Sequence, residues 1–198
     1  MLEESGLAYE AHLVNFSSDD QHSSAFESLN PNGKIPAILD PNGPDGKSLG
    51  LFESGAILQY LGEKSGRLLS SDPVTKYKTL QWLHFQMGGV GPMFGQFGHF
   101  YKFAKDSCDH PYPVNRYKNE VQRLLEVLDN HLEENEWMAG DDYSIADLSI
   151  WPWHRTLGGF YEAGEFLELD SYENVSRWAE ICMNRPASLA AVNIPASG

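Results

Sequence analysis

The residues best placed to do chemistry are Glu53 and Ser54, which end a short apolar run, Ser48 to Phe52, and stand just before a helical pattern. Ser54 is positioned to cap that helix, and the first backbone N–H groups of a helix attract an anion such as a carboxylate. Glu53 beside them can hold an ammonium group. One acid next to a helix N-terminus therefore suits a zwitterionic amino-acid end, whose two charges must be met within a few ångströms. A plain N-cap, worth about 1 kcal/mol to the helix and nothing more, accounts for the same pair. The residue types leave both readings open.

Such a pair needs a frame, and the flanking sequence supplies one. Lys34 to Leu39 and Ser48 to Phe52 read as strands, and Pro41, Asn42, Gly43, Pro44, Asp45 and Gly46 between them predict a hairpin with a long loop. After Ser54 the spacing becomes helical, with Ala56, Ile57, Tyr60 and Leu61 on one face and Gly66 as the stop. Pro36 opens the first strand, where a missing N–H is tolerated. Upstream, Met1 to Phe16 reads as the last turn of a helix, a Gly6 stop and a strand from Tyr9 to Phe16. Phe16 to Asn32 reads as a polar loop and a short helix carrying Phe26 and Leu29.

Downstream, Ser70 to Pro73 form a linker that ends in a helix start, with Ser71 or Asp72 as cap. The expected division is residues 1–66, a linker at 67–72, and a helical part at 73–198. Its first helix carries Val74, Tyr77, Leu80, Leu83 and Met87 on an apolar face. Gly88, Gly89, Gly91 and Pro92 predict a bend or restart near residue 90. From Pro113 a stripe of Val114, Tyr117, Val121, Leu124, Leu125, Leu128 and Leu132 marks an amphipathic helix, with Arg116 and Arg123 off the stripe and one of them free to face a cleft. Ser144 and Asp147 form a capping box, Pro152 lies inside the helix that follows, and a last helix holds Val175, Trp178, Ile181 and Cys182.

Composition excludes several classes. At 198 residues and 41% hydrophobic the chain can bury a real core, and a net charge of -14 argues against phosphate-bearing partners such as nucleic acid or anionic membranes. No apolar run approaches a membrane span, and the first residues lack the pattern of a signal peptide. Cys108 and Cys182 fit a reducing compartment, so the cytoplasm is the expected location. There is no C-x-x-C pair, and the seven histidines show no metal-ligand spacing. Any disulfide chemistry must borrow its thiols from elsewhere.

Two stretches resemble a known family. NPNGKIPAI followed by FESGAI is similar to the glutathione-binding half of cytosolic glutathione transferases. LQWLHFQMGGVGPMFGQFGHF resembles the nu class of bacterial glutathione transferases and the related yeast nitrogen-regulator-like proteins, glutathione-dependent disulfide reductases; the likeness runs from about Leu2 to Ala187. It implies an α/β plus all-α fold, with an incomplete thioredoxin-like N-terminal domain followed by an all-helical C-terminal domain. A first strand and most of a first helix of the family have no counterpart here, including the residue that hydrogen-bonds the glutathione sulfur, so no catalytic residue is assigned.

The resemblance also implies a ligand set for glutathione. Within the Lys34–Ile35–Pro36 segment the proline is cis and Ile35 lends its backbone to the cysteinyl part. Glu53 and Ser54 hold the γ-glutamyl end, Gln21 reaches the ligand, and Gln96, Phe97, Gly98 and His99 line an open site for two glutathiones or their disulfide. Arg116 meets a carboxylate. On the residues alone, core or interface packing is the preferred account of Phe97, and an exposed loop position accounts equally for Gln21. The implied activity is disulfide reduction by thiol–disulfide exchange with bound glutathione, or glutathione transfer, by a homodimer acting on a small thiol or disulfide without a metal. The alternative is a transferase-like protein that binds glutathione or a partner without turnover.

Overall fold

The computed structural model describes residues 1–195. A short helix α1 (Leu2–Ser5) ends at Gly6, whose φ of 70° is the left-handed stop expected. The predicted strand from Tyr9 to Phe16 does not form. Residues 7–15 carry no regular structure, and Leu13 and Phe16 stay 57% and 58% exposed. A strand exists only through its ladder, and among the described residues no neighbour pairs with this segment. The polar loop then leads into α2 (Ser24–Leu29), capped by the Ser23 hydroxyl.

The hairpin is present as β1 (Ala37–Asp40) and β2 (Leu49–Phe52), antiparallel, with Ala37 opposite Phe52 and Asp40 opposite Leu49. The first strand starts later than predicted because Pro36 has no N–H to donate and the Lys34 carbonyl accepts from the Asn30 side chain. Asp40 closes the hairpin onto α3 (Ser54–Ser65). Its carboxylate accepts from the Tyr60 hydroxyl at 2.6 Å and pairs with Lys64, whose ammonium also donates to the Asn42 carbonyl at 2.9 Å. The buried face of α3 is Gly55, Ile57, Leu58, Leu61 and Gly62. Ala56, assigned to that face from spacing, is exposed.

Asp72 caps α4 (Pro73–Phe85) through the Thr75 N–H at 2.9 Å, with Pro73 in the first turn. The apolar face predicted for α4 is only partly used. Val74 and Tyr77 are 66% and 71% exposed, because burial on this helix is confined to its later turns around Leu83. The glycine-rich stretch does not break the helix but rewinds it: Gln86–Val90 forms a π-helical turn that passes directly into α5 (Gly91–Gly98). A second such turn, His99–Phe103, follows.

The long helix α6 (Pro111–Glu134) buries Val121, Leu124, Leu125, Leu128 and Leu132 against Phe94 and Phe97 of α5. The core is completed by α7 (Ile145–Arg155), α8 (Gly164–Leu167) and α9 (Glu173–Met183), which contribute Ile150, Leu167 and Trp178; α10 (Pro186–Ala191) follows. Cys182 packs there as a small apolar group. Across the molecule, Glu4 of α1 forms a two-point ion pair with Arg185, with N–O distances of 2.5 and 2.9 Å. Among the described residues no helix is long and apolar enough to cross a membrane.

The capping box of α7 is built as predicted, and Asp147 does more than cap. Its buried carboxylate accepts from the N–H of Met138 at 2.8 Å, from the N–H and hydroxyl of Ser144 at 2.9 Å each, and from the Trp178 indole at 2.9 Å. Burial pushes this carboxyl above the usual range, and the four donors pull it back.

Two outcomes follow. Asp147→Ala strands several buried donors and should lower unfolding free energy in urea by about 3 kcal/mol or more; an unchanged midpoint would contradict the network. Hydrogen bonds from Lys64 and then Tyr60 hold Asp40 down from 3.8 to about 2. A carboxyl lowered in the folded state stabilises fully above its unfolded pKa and loses that contribution as pH falls through the folded value. Thermal stability should therefore drop between about pH 4 and pH 2, and Asp40→Asn should flatten that drop.

Candidate functional site

The seam between β2 and α3 carries backbone strain. Glu53 has φ 67° and ψ 113°, a conformation that costs a non-glycine residue about 1–3 kcal/mol. Its carbonyl accepts the first intrahelical bond, from the Ile57 N–H at 3.0 Å. Ser54 is therefore the first helical residue and not the N-cap predicted for it, since the helix register begins one residue earlier. Its hydroxyl turns instead toward Met87 Sδ, 3.6 Å away. The leading N–H groups of α3 have no acceptor within the helix. Glu53 is exposed, and its carboxylate makes no hydrogen bond or ion pair among the described residues. A free acid thus stands beside a free helix N-terminus.

The turn before β1 approaches the same seam. The Ile35–Pro36 bond is cis, as expected, and Lys34, Ile35 and Pro36 are all exposed. Gln21 packs nearby: a Cβ on Gly33 would lie 3.5 Å from the Gln21 carbonyl. The Gln21 amide donates to Asp19 at 2.7 Å, while its Oε1 is shielded and has no partner among the described residues.

The predicted residues of the helical part divide. Gln96 and His99 are exposed, and the His99 ring meets Phe100 edge-on at 5.0 Å, which in turn stacks on Tyr117 of α6 at 5.6 Å. That stack places the start of α6, with Arg116, beside the His99 turn. Arg123 is held by Glu120 at 2.7 Å, whereas Arg116 lies 4.0 Å from the same carboxylate and more than half of its side chain is exposed. Of the two arginines, Arg116 is the more loosely held. Phe97 and Gly98, expected to line the site, are both buried. Phe97 is 0% exposed and stacks on Tyr101, and Gly98 is covered by the Tyr161 ring, which a Cβ would meet at 2.0 Å. Both belong to the core because rings from the segment after α7 cover them, Tyr161 and Phe166 against Phe97 and Tyr161 against Gly98.

A cavity of about 260 Å³ lies where the two parts of the chain meet. Pro36, Ser54, Ile57 and Leu58 form one side, and Leu148, Ser149, Pro152 and Trp153 of α7 the other, with Gln86 from the π-helical turn. Gln86 is 4% exposed, and its Oε1 has no partner among the described residues. A buried carbonyl left unpaired costs about 1–3 kcal/mol. Sequence reasoning missed Gln86; the signal was a polar residue three positions after Leu83 on an otherwise apolar stripe. A larger, shallower depression of about 550 Å³ between α6 and Tyr172 is a weaker candidate, because its Asp129 is committed to the N–H groups of Asn174 and Val175. Among the described residues no cluster suited to a metal is present.

Residues 1–64 match the family model of the glutathione S-transferase N-terminal domain, and residues 92–186 that of the glutathione S-transferase C-terminal domain. The chain is 44% identical over 184 residues to the disulfide-bond oxidoreductase YghU of Escherichia coli K12, with 92% of this chain covered. It spans 62% of that relative's length, less than two thirds. Identity to the disulfide-bond oxidoreductase YfcG of the same strain is 43% over 188 residues, covering 94% of this chain and 84% of the relative. A glutathione transferase from Burkholderia graminis, solved with two glutathione molecules per subunit, superposes with a TM-score of 0.98 at 53% identity, covering 100% of this chain and 82% of that one. One from Pseudomonas putida, solved with one glutathione disulfide per subunit, gives 0.95 at 56% identity, covering 98% and 84%.

Glycine at position 53 adopts this backbone conformation without the strain that glutamate carries there. Glu53→Gly should raise stability by about 1 kcal/mol in thermal unfolding. A lowered midpoint would show that the glutamate side chain itself holds the seam.

Proposed function

The chain belongs to the glutathione S-transferase family, and on that premise we propose that it is a glutathione-dependent disulfide-bond reductase working by thiol–disulfide exchange. The observation that carries the reading is the strained, unpaired Glu53 beside the open N-terminus of α3. In this reading the γ-glutamyl carboxylate takes the leading N–H groups at Ser54, and the ammonium takes Glu53. The backbone of Ile35, ahead of Pro36, meets the cysteinyl part, with Lys34 and Gln21 at the rim. Gln96, His99 and Arg116 face a second glutathione or the far half of its disulfide. Phe97 and Gly98 act only by packing beneath them.

The chemistry belongs to the bound thiols. One glutathione thiolate attacks a disulfide sulfur, forming a mixed disulfide and releasing one substrate thiolate. A second glutathione thiolate attacks the glutathione sulfur of that mixed disulfide, releasing the other substrate thiolate and leaving glutathione disulfide. Two electrons pass from two glutathiones to the substrate. The protein contributes by holding both sulfurs in line. Cys182 takes no part: it is buried, and burial raises its pKa well above the ordinary value, which disfavours the thiolate. The free cysteines and the need for a reducing thiol pool support a cytoplasmic location, and the exposed apolar residues at the start of α4 support a homodimer.

Calorimetric titration with oxidised glutathione tests the assignment. Saturable binding is expected, weakened about tenfold by Glu53→Ala and by Arg116→Ala, the loss of one charged contact each. Binding without disulfide reduction in a coupled assay would favour a binding protein, and a folded chain that binds nothing would overturn the site.

A further inference from the structure

The π-helical turn at Gln86–Val90 sets one sulfur against the seam on which the glutathione reading stands. Met87 Sδ lies 3.6 Å from the Ser54 hydroxyl and accepts its hydrogen bond. The rest of the side chain lies flat over the first turn of α3: a Cβ on Gly55 would stand 3.0 Å from Met87 Cγ, 3.1 Å from Sδ and 3.4 Å from Cε. Met87 is half-buried, whereas Met138 is 1% exposed. A thioether is a weak acceptor, so it holds the Ser54 hydroxyl loosely. A carboxylate seated on the leading N–H groups of α3 takes that hydroxyl from it, because a charged acceptor makes a bond about twice as strong. The sulfur therefore yields the hydroxyl to a ligand.

We propose that Met87 is an oxidation site through which peroxide weakens glutathione binding, an inference that rests on the glutathione reading and adds its regulation. Hydrogen peroxide transfers one oxygen atom to Sδ: the O–O bond breaks, an S–O bond forms, the sulfur loses two electrons and water leaves. The sulfoxide oxygen is a strong, polar acceptor where the thioether was a weak one. Turned toward Ser54, it keeps the hydroxyl from the carboxylate of the ligand. Turned inward, it pushes the side chain off Gly55, where the thioether already lies too close for a Cβ to fit beside it. Both outcomes disturb the same helix start. Under oxidant, the protein's draw on glutathione falls.

The full chain is treated with graded hydrogen peroxide and its cysteines are restored with dithiothreitol. After removal of both reagents, each sample is mapped by mass spectrometry and titrated calorimetrically with oxidised glutathione. Dithiothreitol reverses thiol oxidation but not a sulfoxide, which separates Met87 from Cys108 and Cys182. Affinity should fall about tenfold on full conversion, the size of one hydrogen bond to a charged group. The fall should track the oxidised fraction of Met87, not that of Met1, Met93, Met138 or Met183, and methionine sulfoxide reductase should reverse it. In Met87→Leu, which keeps the bulk without an oxidisable sulfur, peroxide should no longer alter the affinity; if that variant does not fold, the dose series on the unaltered chain decides. A Met87 that stays unoxidised while Met93 and Met183 convert, an affinity indifferent to its oxidation, or a peroxide effect that persists in Met87→Leu would each overturn the proposal. Absence of binding before any peroxide overturns the glutathione reading itself, and this proposal with it.

Discussion

A buried carboxylate is affordable only when donors surround it, and in this protein one such group organises the helical half. Asp147 collects the Met138 N–H, both donors of Ser144 and the Trp178 indole. It thereby fixes where α7 begins, which way its first turn points and how α9 packs against it. The next residue along the chain from the cap, Ile145, donates to the Leu68 carbonyl at 2.9 Å, so the same corner ties the helical half to the connection that leaves α3. The wall that α7 presents to α3 is a consequence of that corner.

Against this rigid frame the seam at Glu53 can be held in an unfavourable conformation. The energy that α3 gains by burying Ile57, Leu58 and Leu61 exceeds what one left-handed glutamate costs. Met87 presses on the seam from the other side, 3.6 Å from the Ser54 hydroxyl and in contact with the space above Gly55. The strained residue is thus clamped between the hairpin and the π-helical turn. Its carboxylate and the helix N-terminus are left facing outward with their electrostatic capacity unspent.

The π-helical turns have a related role. An extra residue in the turn at Gln86–Val90 rotates everything after it, which sends α5 onward without a break while moving Gln86 toward the interface with α7. Glycines at 91 and 98 permit the close contacts that result, one under Gln86 and Trp153, the other under Tyr161. Two separate stacks, Phe97 on Tyr101 and Phe100 on Tyr117, then order the turn after α5, and the second reaches the start of α6 where Arg116 stands.

What the sequence by itself determined was local and periodic. The hairpin, the α3 stop at Gly66, the Asp72 cap, the α6 stripe and the Ser144–Asp147 box are written in neighbouring residues, because caps, turns and stripes are short-range devices. The motif around Glu53 and Ser54 was equally visible as an acid before a helix. What only the tertiary structure decided was anything that depends on a partner distant in the chain. Residues 7–15 have strand-like composition but no ladder, Ser54 lost the cap position because Glu53 adopts a left-handed backbone, and Phe97 went to the core because Tyr161 and Phe166 pack over it. Gln86 looked like one polar residue on an apolar helix until α7 folded across it, since burial and an unmet hydrogen bond are properties of surroundings, not of residue type.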